Sequence, residues 1–419
     1  MKKAPLLALA AAAALVALPV ALGGSQATPG VTARTITIGG TFPLTGPVSS
    51  YAPIPRGMAA YFSYINSRRG PDKKRGVAGR QIIFKFYDDA YNPAQTVQQT
   101  RRLVEEDKVL ALVGGLGTEP QQPIRDYTNG KKVPQVYVST GATLFGVEQK
   151  KYPWTIGWQP DYQAEAAIYG RHIAQNEPNA KIAIIFQNDD YGRDYIAGFE
   201  AGLGSKKNQI VASRGFQVTD PAVTSQLVDL RRSGANTLMI FATPAKTIQT
   251  YATLPRLGWK PENIYLNSVS ATDTFMGIAV RLAGAATVNG SISVQYLKDP
   301  AAPEWDNDAG MKLYRSIMTK YLPDQDPKNG LFLYGMAKAH TFIQALYKTG
   351  NAALRGNNGR AALMKVVRNM TDRSNPFALP GVVTKTTPRD PFPISQVRLT
   401  RYTDGTWRGI GPLLNGRGK

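Results

Sequence analysis

From residue 34 onward the chain alternates two kinds of apolar pattern. "RTITIGG" (34–40) and "RQIIFKFYD" (80–88) read as strands, whereas "GMAAYFSYIN" (57–66) sets Met58, Tyr61, Phe62 and Ile65 at helical spacing. "NPAQTVQQTRRLVEED" (92–107) opens as a helix, with Asn92 as cap and Pro93 at the first helical position. "VLALVGG" (109–115) predicts a strand, "EPQQPIRDYTNG" (119–130) a helix closed by Gly130, and "VPQVYVS" (133–139) a strand. Strand and helix trading places in this way predict βαβ units and a parallel sheet.

The rhythm restarts after residue 155. "AEAAIYGRHIA", "YGRDYIAGFEAGL", "VTSQLVDLRRSG" and "KTIQTYATLPRLG" are helical, and "KIAIIF", "QIVASRGFQV", "NTLMIF" and "NIYLNS" are the strands between them. Two similar lobes follow from this. Further on, "LFLYGMAKAHTFIQALYKTG" and "RAALMKVVRNM" predict helices, and "ISQVRLTRYTDGTWRGI" a hairpin turned by Asp404 and Gly405. A length of 419 residues agrees with two domains, and 43% hydrophobic against 19% charged residues describes a globular chain.

The first 27 residues stand apart. "MKK", the apolar run "APLLALAAAAALVALPVAL" and the small residues Ser25 to Ala27 have the layout of a secretory signal peptide, which places the mature chain outside the cytoplasm. "LGGS" (22–25) has the form of a lipoprotein cleavage box with Ser25 where the lipid-bearing Cys would stand; the chain has no Cys, so neither a lipid anchor on sulfur nor a disulfide can form. No later stretch approaches the ~20 apolar residues of a membrane span.

A net charge of +21 raises the question of nucleic acid. The cations are scattered as "RR" (68–69), "KKR" (73–75) and "KK" (131–132, 150–151, 206–207), mostly at helix ends and turns, where the helix dipole favours them. No basic helix with interleaved aromatics appears, so nucleic acid is not expected as a partner. The charge suits weak attraction to an anionic surface instead.

Enzyme chemistry finds little support. The two histidines, His172 and His340, lie in helical patterns far apart and read as packing or surface residues. "GGLG" (114–117) lacks the Lys-Ser/Thr of a phosphate loop. The pairs "DD" at 88–89 and 189–190 read as solvated loop caps, because neighbours on a strand point to opposite faces. No catalytic residue, metal site or cofactor is expected.

The order "PLTGPVSSY", "YDDAYNPAQTV", "ALVGGLGT", "VPQVYVSTGAT", "KIAIIFQNDDYGRD" and "LPRLGW" resembles the periplasmic solute-binding proteins of branched-chain amino acid uptake systems, over nearly the whole mature chain. The resemblance implies an α/β type I periplasmic-binding fold: two Rossmann-like lobes, each a parallel sheet flanked by helices, joined by a three-segment hinge. It maps the first lobe to residues 34–157 plus 292–385 and the second to 158–291 plus 386–419. It makes "GTFPLTGPVSSY" (40–51) one wall of a cleft between them. It also implies a monomer that hands a small polar solute to the permease of an ABC transporter with its cytoplasmic ATPase.

Site residues carry over singly. Tyr51 matches an aromatic that packs on the ligand, and otherwise is a loop tyrosine. Thr118, after Gly117, stands where a Ser or Thr opens a helix and grips a carboxylate; a plain N-cap is the alternative. In "STGAT", Gly141 and Ala142 would offer backbone groups and Thr143 a hydroxyl, or all three are turn residues. Tyr191 matches a second-lobe aromatic that closes over the ligand, or packs beneath its helix.

Two departures bear on the ligand. Ser268 stands where amino-acid receptors carry an acid for the ligand's ammonium, and "ATPAK" follows "LMIF" where relatives have Tyr or Gly. A buried ammonium without a counter-charge costs several kcal/mol, so Asp190 or Asp273 would have to supply one. An amino acid of the branched-chain type, or a close derivative, is the expected ligand. Amides, urea and aromatic or organic acids, and a sensing rather than a transport role, stand beside it.

Overall fold

The computed structural model describes Met1 and residues 28–416, so the leader expected over 1–27 lies, Met1 aside, outside the described residues. Two sheets organise the chain. The first contains β1 (Thr35–Phe42), β2 (Gln81–Asp88), β3 (Leu112–Val113), β4 (Gln135–Val138) and β5 (Thr155–Gly157), all parallel, in the order β2-β1-β3-β4-β5. The second takes β6 (Ile182–Gln187), β7 (Ile210–Phe216), β8 (Thr237–Phe241), β9 (Asn263–Leu266) and β10 (Ile292–Gln295) as its parallel part. A small ladder of β11 (Thr371–Asp372) and β12 (Thr384–Lys385) follows. The hairpin of β13 (Gln396–Thr403) and β14 (Thr406–Asn415) then adds antiparallel to β10, giving the order β14-β13-β10-β9-β8-β6-β7.

The chain therefore passes between the sheets three times, after β5, after β10 and before β13. Two details differ from the sequence reading. Residues 292–295, assigned there to the first lobe, pair in the second sheet, so the return crossing falls after Gln295. The second sheet is also mixed rather than wholly parallel: β13 enters antiparallel to β10, and Asp404 and Gly405, both at positive φ (50° and 87°), turn the chain back into β14.

Local chemistry explains the elements. The helix Pro93–Arg101 is capped by Asn92, whose side chain accepts from Ala94 and Gln95 N–H. The segment 119–130, expected as one helix, is two: Thr118–Gln121 and Ile124–Gly130 meet at Pro123, which has no N–H to continue the ladder. In the first lobe the helix Pro53–Ser67 packs on Gly330–Thr349, with Gly57 against the Phe332 carbonyl and Gly335 against that of Ile54. In the second, Tyr162–Asn176 and Asp190–Leu203 approach as closely: Gly198 lies on the Gln163 backbone and Gly202 on that of Ala167.

Both Asp pairs work inside the fold. Asp88 accepts Leu44 N–H (2.8 Å) and the Thr45 hydroxyl (2.5 Å), which pins the loop after β1. Asp89 and Asp189 are buried, not solvated as expected: Asp89 accepts Tyr91 N–H and the Thr96 hydroxyl, and Asp189 caps the helix Asp190–Leu203. Burial, only partly offset by these bonds, pushes both carboxyls up to about 6. His340 bonds Tyr61 (2.8 Å) and faces Asp372 (3.3 Å), while His172 bonds Tyr265 (2.8 Å); both serve packing. Among the described residues no helix is long and apolar enough to cross a membrane, and no cluster of His, Cys, Asp or Glu could hold a metal ion.

Candidate ligand cleft

The carboxyl ends of both parallel sheets face one another, and small ligands sit at such ends in open α/β sheets. Between them lies a cavity lined from both lobes. Six tyrosines dominate its wall: Tyr51 and Tyr91 from loops after β1 and β2, Tyr162 and Tyr191 from the starts of two second-lobe helices, Tyr296 after β10, and Tyr334 on the helix Gly330–Thr349. Tyr162 meets Tyr191 edge-to-face at 5.2 Å and stacks on Tyr195 at 4.5 Å, which rests on Phe241 at 4.9 Å. Aromatic side chains offer large apolar faces with a polar tip. Ligand sites typically combine such an apolar wall with a few placed polar groups.

Of the residues proposed from the sequence, Tyr51, Gly117, Thr118, Tyr191 and Ser268 line this cavity. Tyr51 ends the loop "GTFPLTGPVSSY" and donates its hydroxyl to the Val269 carbonyl of the opposite lobe (3.1 Å). Gly117, at φ +103°, lets the chain pass the Tyr91 ring, which a side chain there would meet at 2.5 Å. Thr118 shares a 2.7 Å bond with Thr140. Tyr191 takes a hydrogen bond from the Asn267 amide.

Gly141, Ala142 and Thr143 are not brought to the cavity wall. The Gly141 carbonyl accepts Tyr162 N–H (2.8 Å), and Ala142 N–H donates to Thr140 Oγ1 (3.0 Å). Thr143 Oγ1 donates to Asp161 (2.5 Å) and its N–H to Asp194 (2.7 Å), so this turn ties the first lobe to the second. Ser268 lines the cavity but already spends its hydroxyl (2.7 Å) and N–H (2.8 Å) on Glu165, a carboxyl only 1% exposed. An acid thus does stand near the Ser268 position, one layer back and fully engaged, for Tyr169 donates to it as well (2.8 Å). Burial raises its pKa against these bonds.

Asp190 is paired with Arg193 (2.7 Å) and lies in an outer groove, away from the cavity. Asp273 is buried behind the wall, beside Asp299, which lines it. Burial, joined at Asp273 by the charge of the neighbouring Asp299, holds a proton on this pair to higher pH than an ordinary carboxyl would. A folded-state pKa above the unfolded value contributes stability at low pH that is lost as pH rises. Asp273→Asn is therefore expected to melt at higher temperature than wild type at about pH 8 and to lose that advantage near pH 4, read from thermal melts at the two pH values.

The wall also contains Ser139, Gln159, Tyr162, Tyr296, Asp299 and Tyr334, which the sequence reading did not select. The loop "QYLKDP" (295–300) follows strand β10, and strand-end position alone could have nominated Tyr296 and Asp299. Tyr334 sits inside a helix, with no such signal.

Two α/β lobes with three connections and a tyrosine-lined cavity between them define a two-lobe, cleft-containing α/β architecture. The periplasmic binding protein family model matches residues 35–406, and the chain belongs to that family, whose members are substrate-binding proteins rather than enzymes. It is 29% identical over 170 residues to a Leu/Ile/Val-binding protein homolog of Brucella melitensis, covering 40% of this chain and 44% of the relative. It is 25% identical over 206 residues to a leucine-, isoleucine-, valine-, threonine- and alanine-binding protein of Pseudomonas aeruginosa, covering 48% and 52%. The chain thus spans about half the length of the curated relatives it matches. Among solved structures, a branched-chain amino acid ABC transporter protein from Thermus thermophilus with bound valine superposes with a TM-score of 0.75 (16% identity, 92% and 97% of the two chains). A fatty acid ABC transporter substrate-binding protein from Thermomonospora curvata gives 0.74 (17%, 94% and 96%). At these identities the superpositions establish the fold.

Proposed function

We propose that this protein is the extracytoplasmic substrate-binding component of an ABC-type uptake system, capturing a small solute between its lobes for delivery to a membrane permease. The observation that carries this reading is the tyrosine-lined cavity, to which both lobes contribute and across which Tyr51 reaches Val269. The solute has an apolar body for the rings and a polar head for the few polar groups. An amino acid of the branched-chain type or a close derivative fits that description, and the Brucella and Pseudomonas relatives support it. An organic acid without an ammonium is the second reading, favoured by Ser268 being committed to Glu165.

A thermal-shift screen of amino acids, amides, ureas and aromatic and aliphatic acids tests this. A ligand at 100 times its dissociation constant adds about 2.7 kcal/mol of stability, enough for a clear shift. The same ligand is expected to reduce the radius of gyration in small-angle scattering as the population moves to the closed form. An unchanged radius at saturation would count against capture between lobes.

A further inference from the structure

Lys338 is 0% exposed, near the middle of the helix Gly330–Thr349. Its Nζ donates to the Gly114 carbonyl (3.0 Å) and to Ser139 Oγ. It lies 4.9 Å from the centre of the Tyr334 ring and 5.8 Å from that of Phe42. Among the described residues no carboxylate pairs with it, whereas the buried Lys298 has Asp308 at 2.7 Å. An ammonium has three donors, and two are used. A buried charge without a partner is costly and is normally neutralised or paired, and burial pulls the pKa of Lys338 well below the usual lysine value.

The chain makes room for this lysine. Gly114, at φ +76°, follows β3, and a Cβ there would stand 2.8 Å from Lys338 Cε and 2.9 Å from the Met58 methyl. The "GG" that resembled a failed phosphate loop thus serves the lysine. Two of its neighbours, Ser139 and Tyr334, line the cavity, so the lysine stands one layer behind the wall. Its hydrogen-bond and ring partners are a carbonyl, a hydroxyl and two rings, none of them anionic.

We propose that Lys338 selects the ligand's head group: the cavity takes an organic carboxylate, seated against Ser139, with the Lys338 ammonium as its counter-charge. This rests on the reading of the cavity as the ligand site. Entry of the anion and charging of Lys338 favour one another, so binding of one carboxylate is coupled to uptake of up to one proton. The tyrosines meet the apolar body whether or not the ligand also carries an ammonium.

The test uses four probes with one isobutyl body, L-leucine, 4-methylpentanoate, L-leucinamide and 4-methylpentanamide, and an aromatic pair, 3-phenylpropanoate and its amide. Calorimetry of the full chain in two buffers of different ionisation enthalpy reads affinity and proton uptake together. An acid is expected to bind more tightly than its matched amide and to take up protons. Lys338→Met should lower the acid-to-amide affinity ratio by about tenfold, the scale of a hydrogen bond to a charged group, and abolish the uptake. Equal weakening of acid and amide would assign Lys338 a purely structural role and overturn the proposal. Amides binding as well as acids, or acids binding without proton uptake in wild type, would overturn it too, and the wild-type result decides should the variant not fold. If none of the six probes binds, the carboxylate assignment falls. The cleft reading falls only if no compound of the wider screen compacts the protein.

Discussion

Tyr191→Ala is expected to weaken binding of the best ligand from the screen by about 100-fold. Truncating a buried aromatic anchor commonly costs 2 kcal/mol or more, and about 2.7 kcal/mol is a hundredfold in affinity. Tyr191 fits that role: it is buried, lines the cavity, meets Tyr162 and Tyr195 edge-to-face at 5.2 and 5.4 Å, and receives the Asn267 amide. Its loss would remove a ligand contact and let Tyr162 lean into the space. Tyr191→Phe keeps the ring and gives up only the hydroxyl, so a loss of about tenfold or less is expected. Titration calorimetry on both variants, at a temperature where circular dichroism finds them folded, measures this. Binding by Tyr191→Ala within threefold of wild type would place the ligand elsewhere.

The second large effect concerns the scaffold under that tyrosine. Gly198→Leu should destabilise the protein by about 3 kcal/mol, the upper part of the usual cost of forcing a side chain into a packed interior. The Gly198 Cα faces the Gln163 backbone, with the Gln163 carbonyl carbon 2.6 Å from where a Cβ would be. A backbone atom cannot swing aside as a side-chain tip does, so the helices must part. Because Tyr162 and Tyr191 open those two helices, separation also spoils the cavity wall. Denaturant melts monitored by fluorescence give the free energy, and a change under 1 kcal/mol would mean the contact is looser than described.

Periodicity made most of the fold legible. The alternation of strand and helix and its restart after residue 155 correspond to the two sheets, because buried parallel strands have to be short apolar runs. What escaped was longer-range. Nothing in "ISVQ" says that Ile292–Gln295 remains beside β9 before the chain returns, since that choice is made by partners far away in sequence. The site divides along the same line. Tyr51, Gly117, Thr118, Tyr191 and Ser268 follow strand ends, where position alone implies access to the cleft. Gly141, Ala142 and Thr143 also follow a strand, yet their groups are consumed by Tyr162, Thr140, Asp161 and Asp194, acceptors and donors that only the folded arrangement reveals. Tyr334 and Lys338 lie inside an apolar helix, where spacing does not separate a residue of the cavity from one of the core.

The three passages between sheets set the order in which this chain can mature. Strands β1 to β5 are consecutive, but the helix Gly330–Thr349 that covers one side of the first lobe comes after the whole parallel part of the second sheet. Tyr61 and His340, bonded at 2.8 Å, are 279 residues apart. During folding the first sheet keeps an apolar face uncovered until this helix docks, and non-local closures of this size are intrinsically slow and prone to aggregation. Neither lobe is a contiguous piece of chain, so neither can be completed from its first segment alone.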